Sequence, residues 1–475
     1  MKNKIHNYSY PLTLLAALVA AALLMGGCAP IPVLPKPTAT VSAEQAGLAA
    51  SHSQALKADW WTAFNDPQLD ALITRALAES PSLAAARARI ARAAAAADNA
   101  GAADKPVIGA SFDATRQLFT EHGLYPPPIA GSLRTTANLQ IGISYDWDFF
   151  GRHKAELAAA LGTQQAAEAE GAAAKLMLSS SVARSYLSLA RVLGQAELVK
   201  QQLAEREQAY ALVLERVTAG LDSDQDQRVA ETPLPELRRQ RLVLDEQASL
   251  LRHQLASLSA QAGAALATLA PALPATLAMQ SDASLGLDLL GRRPDVAAAR
   301  WRVEAATQQV SAARAQFYPN VTLSAFAGFN AIGLDQLLKS GSQQYGFGPS
   351  LRLPLFDTGR LRAQLKGSAA EADAAVAAYN AAVFDAVRDA SDQATTLSSL
   401  KNQGLQQQAL LANAEASLNL AQNRFDAGLG NRLAVLNARS AVLAQQRQTL
   451  DLQSQTLDSQ VSLMRALGGG WTDAH

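Results

Sequence analysis

One cysteine, six histidines and a run of three closely spaced aspartates hold most of the chemical capacity of this 475-residue chain. The histidines, His6, His52, His122, His153, His253 and His475, are scattered. None lies at an i, i+4 spacing with another ligand type that would suggest zinc. No glycine-rich loop ending in lysine is present to cradle a phosphate. Acid pairs such as Glu168 and Glu170 read as solvated helix positions rather than as an acid and its base. Basic and acidic residues balance at 41 each, so no cationic excess exists to neutralise a nucleic-acid backbone. The reading is therefore of a protein that is not an enzyme and has no cofactor. The aspartates are different. Asp222, Asp224 and Asp226 follow Arg216-Val217-Thr218-Ala219-Gly220-Leu221, and symmetry-related copies would make them a ring that attracts cations, with Arg432 as a further candidate for a gate. An ordinary aspartate-rich turn is the plainer reading.

Cys28 excludes an intrachain disulfide because it is alone. Before it lie Lys2 and Lys4, an apolar run from Pro11 to Leu24, and Met25-Gly26-Gly27. The apolar run is too short to cross a bilayer comfortably and reads as a bacterial secretory signal. Leu24-Met25-Gly26-Gly27-Cys28 resembles a lipobox, which implies cleavage before Cys28 and a covalent lipid on it; a plain signal peptide with a passenger cysteine is the alternative. By resemblance to lipoprotein sorting rules, Ala29 favours the outer membrane. Pro30, Pro32, Pro35 and Pro37 then make an extended tether.

The stretch Arg216–Leu221 has a second copy, Arg424-Phe425-Asp426-Ala427-Gly428-Leu429. Each ends a long Ala- and Leu-rich helical pattern, and each reads either as a hairpin tip or as an ordinary helix C-cap. An internal repeat places the two at matching positions. Pro81, Arg87, Arg89 and Pro106 recur with the same spacing as Pro294, Arg300, Arg302 and Pro319, and Gly151-Arg152 recurs as Gly359-Arg360. The period is about 210 residues, too long for a solenoid, so the chain is a tandem duplication.

Within each repeat, helical patterns from about His153 to Val217 and from Leu361 to Phe425 run without proline. At helical rise each is ~100 Å long. Two strand-like runs precede each, at residues 107–117 and 138–149 in the first repeat and 321–329 and 345–356 in the second. In the clearest, Leu139, Ile141, Ile143, Tyr145, Trp147 and Phe149 alternate with Asn138, Gln140, Gly142, Ser144, Asp146 and Asp148. That alternation suits a transmembrane barrel strand, and it suits a soluble sandwich too. So few strands cannot close a barrel, and lipid does not tolerate open edges, so membrane strands would require several chains in one barrel. Pro233 and Pro235 are expected to bend or break the return helix of the first hairpin. Trp60-Trp61 reads as core packing or as an interfacial pair.

Seven stretches stand out: Trp61-Thr62-Ala63-Phe64-Asn65-Asp66-Pro67-Gln68-Leu69, Pro81–Ile90, Arg292-Arg293-Pro294-Asp295-Val296, Ala315–Pro319, Phe347–Leu351, Pro354–Arg360 and Ala466–Trp471. Together they resemble the outer-membrane factors of tripartite efflux systems, the TolC-like and NodT-type outer-membrane lipoproteins. The resemblance implies a mainly α fold with a β membrane part. Long antiparallel helical hairpins would form an α-barrel tunnel, and four strands per chain would join a twelve-stranded barrel shared by a homotrimer. It implies a passive exit channel in the outer membrane, extending into the periplasm and lipid-anchored. Its partners would be a periplasmic adaptor and an inner-membrane transporter, usually of the resistance-nodulation-division type. Adaptor docking would fall on Arg216, Ala219, Gly220, Leu221, Arg424, Ala427, Gly428 and Leu429. The family often places aspartates just after the second tip, where this chain has Ala434 and Asn437. The first hairpin is therefore expected to supply the negative ring. The exit channel of a type I protein-secretion system and a periplasmic coiled-coil adaptor remain as alternatives. The expected division is signal peptide 1–27, lipidated cysteine and tether 28–58, first repeat 59–270, linker 271–291 and second repeat 292–475.

Overall fold

The computed structural model of the protein describes residues 31–42, 44–47, 57–274, 289–354 and 357–472. Cys28, most of the linker, and Leu355 and Phe356 at the expected end of the last strand lie outside them. The elements are α1 (Pro67–Glu79), α2 (Pro81–Ala102), β1 (Val107–Leu118), β2 (Leu133–Trp147), α3 (Arg152–Thr218), α4 (Asp224–Glu231), α5 (Pro233–Leu258), α6 (Leu289–Arg292), α7 (Pro294–Ala315), β3 (Asn320–Ile332), β4 (Gln343–Arg352), α8 (Thr358–Asp426) and α9 (Arg432–Ala466). The two long helices have 67 and 69 residues. β2 starts five residues before the expected Asn138, because Thr135 and Thr136 still pair with β1 there. Among the described residues no helix is long and apolar enough to cross a membrane.

The chain folds into two compact units, and each mixes both repeats. Of the described residues, the first takes those within Met1–Ala39, Ala91–Gln165 and Trp301–Ala377; the second takes those within Thr40–Ile90, Ala166–Arg300 and Ala378–His475. The first unit holds one antiparallel sheet in the order β1-β2-β3-β4. Residues paired directly across an antiparallel sheet share a face, so the register reads out both faces. Ile108, Ala110 and Phe112 line up with Ile143, Ile141 and Leu139 of β2. These continue to Ala325, Ala327 and Phe329 of β3, and then to Phe347 and Tyr345 of β4. The opposite face carries Ser111, Asp113, Asn138, Gln140, Ser144, Thr322, Ser324, Gln344 and Ser350, with one aromatic ring, Phe326, in mid-strand. Strand alternation thus becomes one apolar and one polar face across four strands.

The second unit is built on a helical core. Trp60, Phe64, Leu69 and Ile73 meet Val182, Tyr186 and Leu189 of α3, Leu244 and Leu255 of α5, and Leu457 and Val461 of α9. Leu69, Ile73 and Leu457 are fully buried, each contributing about 1.5–3 kcal/mol by removal from water. Asp66 caps α1 by accepting from the backbone N–H of Gln68 and Leu69, and its other oxygen accepts from the Tyr186 hydroxyl at 2.7 Å. Burial, and then that bond, push the Tyr186 hydroxyl well above its ordinary pKa. Of the two readings of Trp60-Trp61, Trp60 is a core residue, with Trp61 edge-on to it at 5.8 Å.

The described part of the tether is not free. In the first unit Ile31 and Leu34 pack against Phe317, Leu361 and Leu365, and the Thr38 N–H donates to Asp373 at 2.8 Å. In the second, the Val41 N–H donates to Asn380 at 2.8 Å and Ala46 is buried beside Val383 and Ala386. It is an extended strap held on α8.

Candidate functional site

The two repeated stretches fold into the same turn. Gly220 and Gly428 have φ of +71° and +72°, which a side chain disfavours. The Leu221 N–H donates to the Arg216 carbonyl, and the Gly220 N–H to the Val217 carbonyl, at 2.8 and 2.9 Å. Leu429 to Arg424 and Gly428 to Phe425 repeat these bonds at the same distances. This is the Schellman arrangement, which satisfies the last carbonyls of a helix. Ala219 and Ala427 are the small residues preceding each glycine, and Leu221 and Leu429 are exposed.

Beyond the glycines the tips differ. In the first, Arg216 donates from Nε and Nη2 to the two oxygens of Asp222 at 2.7 and 2.8 Å. This bond from Arg216 holds the Asp222 carboxyl below its ordinary range. Ser223 and Asp226 form a reciprocal capping box at the start of α4. Asp224 lies exposed in the first turn of α4. In the second tip Gly430 stands where the repeat aligns Asp222, and Asn431 caps α9 by accepting from the Ala434 N–H at 2.8 Å. Arg432 lies over the Phe425 ring at 5.9 Å. The hairpins face one another across a cavity of about 450 Å³ lined by Arg216, Asp222, Asp226, Pro233, Arg432 and Asn437. Arg206 donates to Asn437 at 2.9 Å, and Arg439 pairs with Glu205 at 3.0 Å. The expected interruption falls at Thr232, which keeps helical angles (φ −51°, ψ −40°) between α4 and α5. The hydrogen-bond ladder breaks there because Pro233 and Pro235 have no N–H to give.

Farther from the tips, α3 and α9 are stitched by polar pairs. Arg184 grips Asp458 at 2.6 and 3.1 Å, and Gln195 and Arg191 converge on Asp451 at 2.5 and 3.3 Å. Sequence reasoning did not find these pairs, because partners more than 250 residues apart leave no spacing signal. Arg293 likewise has no role that its spacing assigns. That side chain is almost fully buried and binds Asp295 at 2.6 and 3.0 Å, Asp389 at 3.6 Å, and the carbonyls of Ala386 and Ala466 at 3.4 Å.

In the sheet, Leu337 covers Ala137 and Ala331 at one end of the apolar face, and the rest of that face is open. Ile108, Phe112, Ile141 and Leu351 are exposed, and Tyr345 and Phe347 are 85% and 87% exposed. Trp147 stacks on Phe149 at 5.4 Å, and Phe150 on Tyr318 at 4.7 Å, where the strands meet the helices. Among the described strands, β1 and β4 each pair on one side only. A soluble sandwich would cover such a face with a second sheet, and this sheet has none among the described residues. No cluster that could hold a metal ion occurs among the described residues.

The model of the family described as outer membrane efflux protein matches residues 72–250 and 285–469. The chain belongs to the outer membrane efflux protein family. The two matched segments fall on the two halves of the duplication. The chain is 34% identical over 480 residues to the multidrug resistance outer membrane protein MdtP of Shigella flexneri, covering 97% of each. The crystal structure of the outer membrane protein VceC from Vibrio cholerae superposes with a TM-score of 0.80 at 36% identity, covering 87% of this chain and 99% of that one. The Campylobacter jejuni CmeC outer membrane channel shares the fold, with a TM-score of 0.81 at 19% identity over 94% of this chain and 96% of that one. For an outer membrane efflux protein, an exposed apolar sheet face and an aromatic cluster at its end have a direct physical meaning: lipid, and the edge of lipid.

Proposed function

We propose that this protein is the exit channel of a tripartite efflux pump, a passive conduit that performs no chemical step. The observation that carries the reading is the four-stranded sheet, apolar on one exposed face, polar on the other and, among the described residues, unpaired at both edges. Lipid tolerates such strands only when a barrel closes. Three copies joined β4 to β1 give twelve strands, apolar outward and polar inward. A covalent lipid on Cys28 would anchor the chain in the outer membrane beside that barrel. The matched tips offer identical backbone turns to a periplasmic adaptor, whose contact would spread the hairpins and open the passage. An inner-membrane transporter, of the resistance-nodulation-division type by resemblance, would supply the energy and the selectivity. Export of small toxic compounds is favoured over protein secretion by the resistance role named for MdtP.

The test is deletion of the gene in its host, with sensitivity measured across antibiotics, dyes, solvents and metals. Sensitivity to several small compounds, restored by the intact gene and not by one lacking β1–β4, supports the reading. Unchanged sensitivity with the partner pump expressed overturns it.

A further inference from the structure

The polar face of the sheet has one large apolar side chain in mid-strand. Phe326 is paired level with Gly142 of β2 and Gly346 of β4. On its own strand its neighbours on this face are Ser324 and Gly328, and beyond Gly346 lies Gly348. The ring leans over β4. A Cβ placed on Gly346 would come within 2.8 Å of its Cε1 and 2.9 Å of its Cζ, so a side chain there would collide with the ring. Glycine at Gly142 leaves the other flank open, with nothing but the Ala325 carbonyl near at 3.8 Å. The ring is 41% exposed in this setting. Around it the face is hydrophilic. Gln344 donates to Asn138 at 2.7 Å, and Thr322 donates to Asp146 at 2.5 Å.

If the apolar face meets lipid, as the proposed function has it, Phe326 faces the water-filled interior. The geometry points to Phe326 as a cargo-contact site inside the barrel, a stacking platform for flat aromatic cations, set in a strip of glycines that keeps its ring accessible. Three copies would place three such rings at one level. A phenyl ring attracts both aromatic faces and cationic charge, and it does so without hydrogen bonds that would fix one substrate. The flanking glycines remove the side chains that would otherwise bury it. Contact of this kind is weak and sequential, which suits a conduit that must release what it touches.

The test uses the purified full-length protein in planar lipid bilayers, with ethidium as the flat aromatic cation and tetraethylammonium as a non-aromatic one. Phe326→Ser should raise the ethidium concentration for half-block of the current by roughly 2- to 12-fold, the range of an aromatic pair. Phe326→Leu should fall between, and tetraethylammonium, which meets the ring by charge alone and cannot stack, should lose block by a smaller factor than ethidium. Retained ethidium block in Phe326→Ser overturns the site. So does equal loss of block for both ions, which would mean a changed pore shape. A ring that only shields the Gly346 backbone would show as lowered heat resistance of the trimer in both variants with ethidium block intact. An intact native protein that conducts neither alone nor with its periplasmic adaptor, with which block is otherwise measured, would instead strike the channel reading on which this site rests.

Discussion

Arg216 holds both carboxylate oxygens of Asp222, at 2.7 and 2.8 Å, across the turn made by Gly220. The counterpart of Asp222 in the second tip is Gly430, so this clasp exists in one hairpin of each chain. Three acids in a row look like a negative ring when read as letters. The structure divides their work. Asp222 is neutralised by Arg216, whereas Asp224 and Asp226 are exposed, and Asp226 keeps its charge while capping a helix. Cation selectivity of the conduit should therefore depend on Asp224 and Asp226 more than on Asp222. In a salt gradient, Asp224→Asn should shift the reversal potential toward anions, whereas removing the paired charges together, Arg216→Gln with Asp222→Asn, should leave it nearly unchanged. An equal shift from the double variant would return the ring to its simple form.

The same clasp fixes the sign of a pH effect. Asp222 is held below its ordinary 3.8 first by the Arg216 hydrogen bond, and Asp226 below 3.8 first by the Ser223 hydroxyl. Groups whose folded pKa is depressed stabilise the fold above the unfolded value and lose that contribution as pH falls through the folded one. The first tip should thus keep its protease resistance from neutral pH down to about pH 5 and loosen only below the ordinary carboxylate range. Limited proteolysis across pH, read at the bonds near Arg216 and Arg228, checks this. In Asp222→Asn the acid-dependent step should shrink. Loosening that begins near pH 6 would assign the response to another group.

Much of the fold was legible because its signals are periodic. Alternation at Leu139–Phe149 and two proline-free runs ended by Ala-Gly-Leu each state a local geometry. The duplication then placed each one twice. What stayed hidden depends on partners distant in sequence. Nothing local says that Asp222 turns back on Arg216, that Arg184 meets Asp458, or that Thr38 and Val41 are pinned on α8. The proline-rich strap reads as a free spacer because proline composition reports chain stiffness, and docking is decided by the surface it meets.

Glycines at the tips and at the chain's end should respond differently to alanine. A Cβ at Gly220 or Gly428 meets nothing within 4 Å, so Gly220→Ala costs the left-handed backbone penalty of about 1–2 kcal/mol and little else. A Cβ at Gly468 would sit 2.0 Å from the Arg292 carbonyl oxygen, and one at Gly470 2.3 Å from the Lys57 carbonyl, with φ of +89° and +78°. Backbone cannot move aside as a flexible side chain can. Gly468→Ala and Gly470→Ala should therefore lose more heat resistance than Gly220→Ala. Gly220→Ala should assemble normally and show its defect in drug efflux. Thermal melting of the purified proteins and susceptibility assays separate the two classes, and equal melting losses would show that the C-terminal turn adapts.

Arg293 ties three segments together, the start of α7 through Asp295, α8 through Asp389 and the Ala386 carbonyl, and the end of α9 through the Ala466 carbonyl. Burial alone would lower its pKa, and the Asp295 and Asp389 carboxylates together outweigh that, so the guanidinium stays charged at every accessible pH. Arg293→Ala removes a donor shared by two carboxylates and two carbonyls, while Asp295 keeps the Val296 N–H and Asp389 keeps Arg388. Because Asp295 and Asp389 keep partial access to water, the cost should be about 2–3 kcal/mol rather than the larger figure for a fully enclosed pair. Arg293→Lys keeps the charge and the stem but has no planar fork to reach both carboxylate oxygens and both carbonyls. It should restore less than half of the loss, read as the midpoint of thermal unfolding. Arg293→Met tests the opposite extreme, filling the space without charge. If Arg293→Met melts as the native protein does, packing of the stem rather than the ionic bridge joins these segments.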